Sequence, residues 1–292
     1  MSWWEVSLIA APELAEAVAE VFHRFAPGGV AMEPAGADRV RLVSWVPVTD
    51  DLPRTRRRLN EALGHLSLIM PVPPLEEREV PDQDWLQAFR EGFRPFHIGQ
   101  RFVITPSWAS YTSAPGETVL VIDPGLAFGT GLHPTTQTCL LALERLAQPG
   151  MAVLDLGAGS GILAIAAAKL GVASVLALDT DPDAVRSARE NLAANGVPSG
   201  VVTVVQGTLE GTSQPRYDLV AANLTAGVLT RLAPQIAAVL RPGAALVAGG
   251  ILEEQAASVA DRFQQEGLHL QDTLAREDWR TLVFRAPDSR SP

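Results

Sequence analysis

Two acids, one amide and a run of glycines are the residues of this sequence whose types and spacing could do chemistry. Asp155, Asp179 and Asn223 each end a short apolar run that is typical of a buried strand. Gly157 and Gly159 follow the first of these runs in the stretch VLDLGAGSGIL. Parallel sheets bind ligands beyond the carboxyl ends of their strands, and glycines there allow a ligand to approach the backbone N–H groups at the start of the next helix. The pattern therefore predicts a nucleotide-type binding site at one edge of a parallel sheet.

The residues of the glycine stretch from Asp155 to Gly161 can be compared with the motifs of several classes of site. A dinucleotide fingerprint requires glycine or alanine at position 162, which is Ile162. A phosphate-binding P-loop requires a lysine that this stretch lacks. A nucleophile elbow requires glycine two residues before Ser160, where Ala158 stands. The spacing D-x-G-x-G-x-G instead resembles the first motif of class I S-adenosylmethionine-dependent methyltransferases, and a glycine turn without a ligand is the alternative.

Asp179 ends the apolar run SVLALD, which is the next predicted strand after the glycine turn. A carboxylate at that place can accept hydrogen bonds from both ribose hydroxyls of an adenosyl group. Asp181 and Pro182 have the types that are favoured at the N-cap and the first position of a helix. Asp181 is therefore interpreted as structural, and Asp179 as a binding residue.

Asn223 ends the predicted strand YDLVAAN, at the same edge of the sheet. Its side chain offers one acceptor and two donors to a substrate. Amide and base-nitrogen methyltransferases often have a Pro-Pro-aromatic clamp after this position, whereas this chain continues Leu-Thr-Ala. That departure disfavours amide or base-nitrogen acceptors. An asparagine that only caps the following helix remains the alternative.

The stretch DPGLAFGTGLHPTT, from Asp123 to Thr136, has three glycines and precedes a predicted helix. It is either an unusual surface loop or a segment that wraps a ligand. His133 lies in it, and a role in satisfying the backbone and a catalytic role both remain open. The histidines of the chain are scattered and lack the ligand spacing of a metal centre, so no metal site is expected. No motif supports a hydrolase triad.

The bulk composition is that of a globular protein of 292 residues with a formal net charge of −10. Such an acidic balance disfavours a general nucleic-acid binder. A single cysteine, Cys139, excludes an internal disulfide and favours a reducing compartment. The start MSWWEVSL lacks the basic region of a secretory signal, and no apolar run reaches membrane-spanning length. We expect a soluble, cytoplasmic protein.

The elements that must position these residues form two parts. Residues 1–74 are expected to form a ferredoxin-like α+β domain, and its order βαββαβ is complete if LEEREV, residues 75–80, supplies the last strand. Residues 102–286 alternate apolar strands with helices, which predicts a doubly wound, mostly parallel α/β sheet that a terminal strand pair closes. A disordered tail is expected for residues 287–292.

Residues 75–101 are predicted to be a helical linker between the two parts. Trp85, Phe89 and Phe93 are spaced four residues apart, which places them on one helix face. We expect this aromatic stripe to pack between the domains, without a role at a cofactor.

These stretches together resemble the family of methyltransferases that act on ribosomal protein eleven of the large subunit. The resemblance rests on DWLQAFREGFRPFHIGQRFVITPSW, GLAFGTG-x-HPTT, the glycine motif and ANLTAG, and it covers nearly the whole chain. It implies a class I methyltransferase domain behind a small domain that recognises the ribosomal protein. With the glycine turn, it also implies a set of cofactor-binding residues: Phe128, Thr136, Gly157, Gly159, Asp179 and Asn223.

The same resemblance implies the reaction. S-adenosylmethionine would donate methyl groups to lysine and N-terminal amines of the ribosomal protein, free or on the ribosome, and S-adenosylhomocysteine would be the product. Asn223 is the candidate catalytic residue that orients the nitrogen, and no general base is assigned. We expect neither sequence-specific nucleic-acid binding nor a membrane partner. The alternatives are a different protein or small-amine acceptor, or a non-catalytic assembly factor that binds the adenosyl ligand.

Overall fold

The computed structural model describes residues 2–25, 30–36, 39–49, 51–67, 71–81, 94–123, 129–209 and 217–288. The chain divides into two compact units, Met1–Phe93 and Arg94–Pro292. In the described residues, no helix has the length and apolar character needed to cross a bilayer.

The described residues of the first unit form a four-stranded antiparallel sheet with two helices. The sheet has the order β2-β3-β1-β4. Alternate residues of the first strand, including Trp4, Val6 and Leu8, are buried in the core that the helices share. The predicted βαββαβ order is confirmed by the elements β1 Ser2–Ala10, α1 Pro12–Phe25, β2 Val30–Pro34, β3 Val40–Pro47, α2 Leu52–Ser67 and β4 Glu76–Pro81.

Strand β4 lies beyond residue 74, where the sequence places the end of the first domain. Its Arg78 stands opposite Glu5 of β1 and donates to that buried carboxylate at 2.8 and 2.9 Å. This pairing ties the strand to the first unit, so the predicted helical linker 75–101 begins with strand. The predicted aromatic stripe of Trp85, Phe89 and Phe93 lies outside the described residues.

The second unit opens with a small sheet that the sequence analysis did not predict. Strands β5 Phe96–Ile98, β6 Phe102–Thr105 and β7 Thr118–Val121 have the order β5-β6-β7. β5 is antiparallel to β6, and β7 is parallel to it. Their apolar side chains join one of the two cores of the unit. Short strands of this kind carry little periodicity, which is why the linker assignment extended across β5.

The main sheet has seven strands in the order β10-β9-β8-β11-β12-β14-β13. It is parallel except for β14, which runs antiparallel to both of its neighbours. This confirms the predicted doubly wound α/β fold with a closing terminal pair. Its elements are α3 Pro134–Leu146, β8 Ala152–Leu156, α4 Ile162–Lys169, β9 Ser174–Asp179, α5 Pro182–Ala194, β10 Val202–Gln206, β11 Tyr217–Asn223, α6 Ala226–Val239, β12 Leu240–Leu252, α7 Glu253–Gln265, β13 His269–Arg276 and β14 Trp279–Arg285.

The central strands are apolar because helices cover both faces of the sheet. Neighbouring residues of one strand, such as Val153 and Leu154, are buried in two different cores. The strand order changes direction between β8 and β11, which leaves a crevice at their carboxyl ends. At the far end of the chain, the carbonyl of Pro287 accepts a bond from Gly243. Order therefore continues into the first residue of the predicted tail, and residues 289–292 lie outside the described residues.

Candidate functional site

A cavity of about 500 Å³ lies at the carboxyl edge of the main sheet. The ends of β8, β9 and β11 contribute Gly157, Asp179 and Asn223 to its lining, and the first turn of α3 contributes Thr136. These residues are distant in sequence, and they meet because the strand order reverses at this point of the sheet.

The glycine turn between β8 and α4 is shaped for close contact. Gly157 has φ 78°, and a Cβ atom on it would stand 2.4 Å from Cδ2 of Leu224. The backbone N–H groups of Gly157 and Ala158 donate to the carbonyl of Leu178 at 2.8 and 3.0 Å. The N–H of Gly159 donates to Asp179. The sequence predicted N–H groups that face a ligand, but these three groups form hydrogen bonds within the protein. The turn instead offers a ligand a backbone surface without bulky side chains.

The carboxylate of Asp179 is held in one orientation by the backbone. Oδ2 accepts from Gly159 at 2.8 Å, and Oδ1 accepts from Asp181 at 3.0 Å. The side chain of Asp181 in turn accepts from the N–H of Asp183 and caps α5, as predicted. A carboxylate has about four lone-pair sites, so Asp179 keeps acceptor capacity for ligand hydroxyls.

Asn223 and Thr136 face each other in the lining of the cavity. Asn223 Nδ2 donates to Thr136 Oγ1 at 3.5 Å. Thr136 is fully buried, whereas Asn223 is partly accessible. The bond to Thr136 uses the amide nitrogen of Asn223 and leaves its amide oxygen as an acceptor.

His133 begins the helix that carries Thr136. Its Nδ1 accepts from the backbone N–H of Thr135 at 3.3 Å and lies 2.8 Å from Thr135 Oγ1. Its ring contacts the indole of Trp279 edge-on, with 4.9 Å between ring centroids. The sequence left open whether His133 serves the backbone or the chemistry, and the structure gives it a capping bond and a place in the lining.

Asp155 lies beneath the glycine turn rather than in the cavity lining. Its side chain is almost fully buried, and Oδ2 accepts from the N–H of Ala164 at 2.9 Å. Among the described residues, none forms a hydrogen bond with Oδ1. Burial raises the pKa of this carboxyl to about 7, and the bond from Ala164 opposes that shift. Asp155 therefore anchors the start of α4.

The remaining lining is apolar and suits an adenosyl group. Leucines come from all three strand ends and from α6, and this apolar lining can cover a flat heterocycle. The backbone of Gly157 and the oriented carboxylate of Asp179 line the same cavity as these leucines. The cavity thus fits the adenosyl ligand that the sequence resemblance implies. These leucines are Leu156, Leu178, Leu224 and Leu232, and Leu163 of α4 also lines the cavity.

The structure brings most of the predicted site residues to this one cavity. Thr136, Gly157, Gly159, Asp179 and Asn223 all line it. Phe128 lies outside the described residues. Their binding roles remain predictions, since contacts with a ligand are what would establish them.

Two further lining residues, Trp279 and Arg231, were missed by sequence reasoning. Trp279 lies at the start of β14, far along the chain from the other site residues, and no local pattern links it to them. Arg231 is an exposed residue of α6, where a charged side chain is ordinary. Their place in the site follows only from the folded chain.

Comparisons with known proteins agree with this geometry. The family model described as "Ribosomal protein L11 methyltransferase (PrmA)" matches residues 2–287. A protein named ribosomal protein L11 methyltransferase from Chloroflexus aurantiacus is 41% identical, over 98% of this chain and 98% of its own length. The protein of the same name from Pelotomaculum thermopropionicum is 39% identical, over 98% of this chain and 99% of its own.

A solved structure gives the same assignment. The crystal structure of ribosomal protein L11 methylase from Lactobacillus delbrueckii subsp. bulgaricus is 31% identical, with a TM-score of 0.62, over 67% of this chain and 100% of that one. The family match spans both units, and the sequence identity to relatives holds over nearly the full length. This chain belongs to the ribosomal protein L11 methyltransferase family.

Proposed function

We propose that this chain transfers methyl groups from S-adenosylmethionine to lysine and N-terminal amines of ribosomal protein L11. The observation that carries the proposal is the pairing of Asn223 with Thr136 in a cavity that Asp179 and several leucines also line. Family membership supports the choice of substrate, because the relatives named above are L11 methyltransferases.

Each part of the cavity has a task in holding the cofactor. Asp179 would accept from the ribose hydroxyls, and Gly157 and Gly159 would let the cofactor lie against the backbone. The leucine lining would cover the adenine ring. When bound, S-adenosylmethionine supplies an electrophilic methyl group on a sulfonium centre.

Asn223 would orient the acceptor nitrogen. Its amide oxygen can accept an N–H of the incoming amine, while its Nδ2 is held by Thr136. Correct orientation of reacting groups can lower a barrier by about 7–11 kcal/mol. A preset amide therefore contributes through geometry, without a proton transfer of its own.

The protonation state of the acceptor sets a separate requirement. A lysine amine with a pKa of about 10.4 is almost entirely protonated at pH 7, whereas an α-amine has a pKa of about 7.7–8.0. Partial burial beside a positive sulfonium lowers the pKa of the amine. The free base then forms at the site, and water can take the proton. No dedicated base is required.

The aromatic pair of His133 and Trp279 would form the acceptor side of the cavity. An indole attracts alkylammonium groups through its electron-rich face. A methylated amine can therefore remain close to Trp279 while it turns for the next transfer. This property suits repeated methylation of one nitrogen.

The proposed partner is L11 itself, either free or on the ribosome, in the cytoplasm where ribosomes are assembled. The net charge of −10 suits a basic protein partner and disfavours sequence-independent binding to nucleic acid. Within this proposal, the first unit recognises L11 and the second carries the reaction.

Peptide mapping by tandem mass spectrometry tests the class of acceptor. Unmodified L11 and L11 with an acetylated α-amine are each incubated with the full-length protein and S-adenosylmethionine. The proposal expects methylated lysines in both, and a methylated N-terminus only in the first. Methyl groups confined to arginine, histidine or carboxylate side chains would contradict the assignment to amines.

A further inference from the structure

Two buried polar side chains behind the cavity, Ser160 and Asn191, link two walls of its lining: the glycine turn and the backbone at Gly129, here called the Gly129 wall. Ser160 Oγ donates to the carbonyl of Gly129 at 2.6 Å. Asn191 Nδ2 donates to the carbonyl of Ser160 at 2.9 Å, and its Oδ1 accepts from the N–H of Asp123 at 3.4 Å. Ser160 is 2% exposed and Asn191 is 4% exposed, so both exchange little with solvent.

The residues that these bonds join belong to different walls. Gly129 lies on the segment that leads into α3, and Gly159 lies in the glycine turn next to Ser160; both glycines line the cavity. A Cβ atom on Gly129 would stand 2.8 Å from Ser160 Oγ. The two backbones are therefore as close as a glycine permits, and the Ser160 hydroxyl defines their spacing.

We propose that Ser160 and Asn191 are positioning residues that hold the Gly129 wall at the spacing that cofactor binding requires. Neither side chain lines the cavity, so each acts through the backbone that it bonds. The proposal adds to methyl transfer a determinant of cofactor affinity that lies outside the lining. It depends on cofactor binding alone and does not require that L11 be the acceptor.

Loss of either bond should make the wall adopt other arrangements before the cofactor binds. Without the Ser160 hydroxyl, the Gly129 carbonyl loses its donor, and a buried acceptor without a partner is costly. The fraction of molecules in the binding-competent arrangement then falls, and the apparent Kd rises in inverse proportion. Once bound, the cofactor itself favours the binding-competent arrangement of the wall, so turnover at saturating cofactor should change little.

Calorimetric titration of the full-length protein with S-adenosylhomocysteine tests this role. Ser160→Ala removes the donor to Gly129. Asn191→Asp keeps the acceptor for Asp123 but replaces the donor to Ser160 with a carboxylate oxygen. We expect each variant to raise the Kd about tenfold. A rise of this size corresponds to about one tenth of the molecules being in the binding-competent arrangement. The double variant should raise the Kd by far less than the product of the two single-variant factors, because both residues belong to one hydrogen-bond network.

Asn195, the C-cap residue of the same helix, provides a control one turn beyond Asn191. It bonds the N–H and the carbonyl of Val121 at 2.9 and 2.6 Å and donates to the backbone carbonyl of Asn191 at 2.8 Å. Among the described residues its side chain bonds neither Ser160 nor Gly129, and it does not line the cavity. Asn195→Ala should lower the Tm of the cofactor-free protein but leave the Kd unchanged. A purely structural role for Ser160 and Asn191 would give the same outcome for their variants, and that result would overturn the proposal.

An increase in Kd for Asn195→Ala as large as for the other two would overturn it as well. If Ser160→Ala does not fold, Asn191→Asp has nearly the native shape and provides the test by itself. Initial rates at saturating cofactor complete the test. A fall in kcat as large as the rise in Kd would show that the network affects the reaction as a whole, and it would contradict a role limited to cofactor affinity.

Discussion

Nδ2 of Asn223 and Oγ1 of Thr136 lie 3.5 Å apart. Asn223 ends strand β11, whereas Thr136 lies in the first turn of helix α3. Thr136 is fully buried and thus gives the amide a fixed neighbour. In the proposed mechanism, the amide oxygen of Asn223 accepts an N–H of the incoming amine. Both residues line the cavity in which we propose that the cofactor and this amine meet.

Asn223→Ala should lower kcat by about a hundredfold, because misplaced reactants lose rate on that scale even when binding persists. Thr136→Val keeps the shape of the side chain and the amide of Asn223, so it should lower kcat by less. Initial rates with L11 at saturating S-adenosylmethionine measure both variants, and circular dichroism checks their folding. Near-normal turnover in the alanine variant would remove Asn223 from the mechanism.

Asp179→Asn should weaken cofactor binding by about tenfold to a hundredfold, the loss expected when bonds to a charged acceptor are replaced. The amide has a single acceptor oxygen, while the carboxylate now accepts from both Gly159 and Asp181. Asp183→Asn is the control, because Asp183 is an exposed residue that pairs with Arg186 at 2.7 Å. Equal Kd values for the two variants, measured by calorimetry, would argue against a ribose contact.

Gly157→Ala should abolish measurable cofactor binding and destabilise the fold. Its φ of 78° is unfavourable for alanine, and the new methyl group would stand 2.4 Å from Leu224. Gly196→Ala shares only the first of these costs, since Gly196 has φ 61° with open space around it. That control should lose about 1–2 kcal/mol of unfolding free energy and bind normally. Normal cofactor binding by the Gly157 variant would show that the turn has room that the structure lacks.

Asp155 should make the stability of the cofactor-free protein depend on pH. Burial raises its pKa to about 7 in the folded state, whereas an exposed aspartate has a pKa of about 3.9. Between these values the folded state holds a proton that the unfolded state has released. The stabilisation from this group is therefore complete below pH of about 4 and is lost as the pH rises through about 7.

Urea unfolding of the wild type and of Asp155→Asn from pH 5 to 8 measures this dependence. The stability of the wild type relative to the variant should fall as pH increases, by at most about 1.4 kcal/mol per pH unit. The variant cannot titrate at this position, so all other groups cancel in the difference. A difference that is constant across this range would mean that Asp155 has an ordinary pKa.

The sequence predicted the parts of the fold that depend on local spacing. The apolar runs of β8, β9 and β11 predicted the parallel sheet, and Asp179 and Asn223 fell at its carboxyl edge. This worked because a doubly wound sheet places every strand end at the same edge, so position along a strand implies position in space.

Contacts between distant segments were beyond such patterns. Trp279 reaches the site through the closing strand pair, and Arg78 attaches β4 to the first unit through buried Glu5. The glycine turn shows the same limit, because the carbonyl of Leu178 takes the N–H groups that the motif was expected to offer a ligand. Spacing along the chain predicts which residues can lie close together. The hydrogen bonds that those residues form depend on groups of the neighbouring strand, which the spacing does not describe.

Intact mass spectrometry of unmodified L11, after incubation with the full-length protein and S-adenosylmethionine, tests methyl transfer most directly. A ladder of additions, each of one methylene unit, is the expected result, and it should be absent when the cofactor is omitted. The Asn223→Ala variant should give the same ladder much more slowly. An unchanged mass of L11, with S-adenosylhomocysteine still bound in calorimetry, would contradict the assignment of L11 as the substrate.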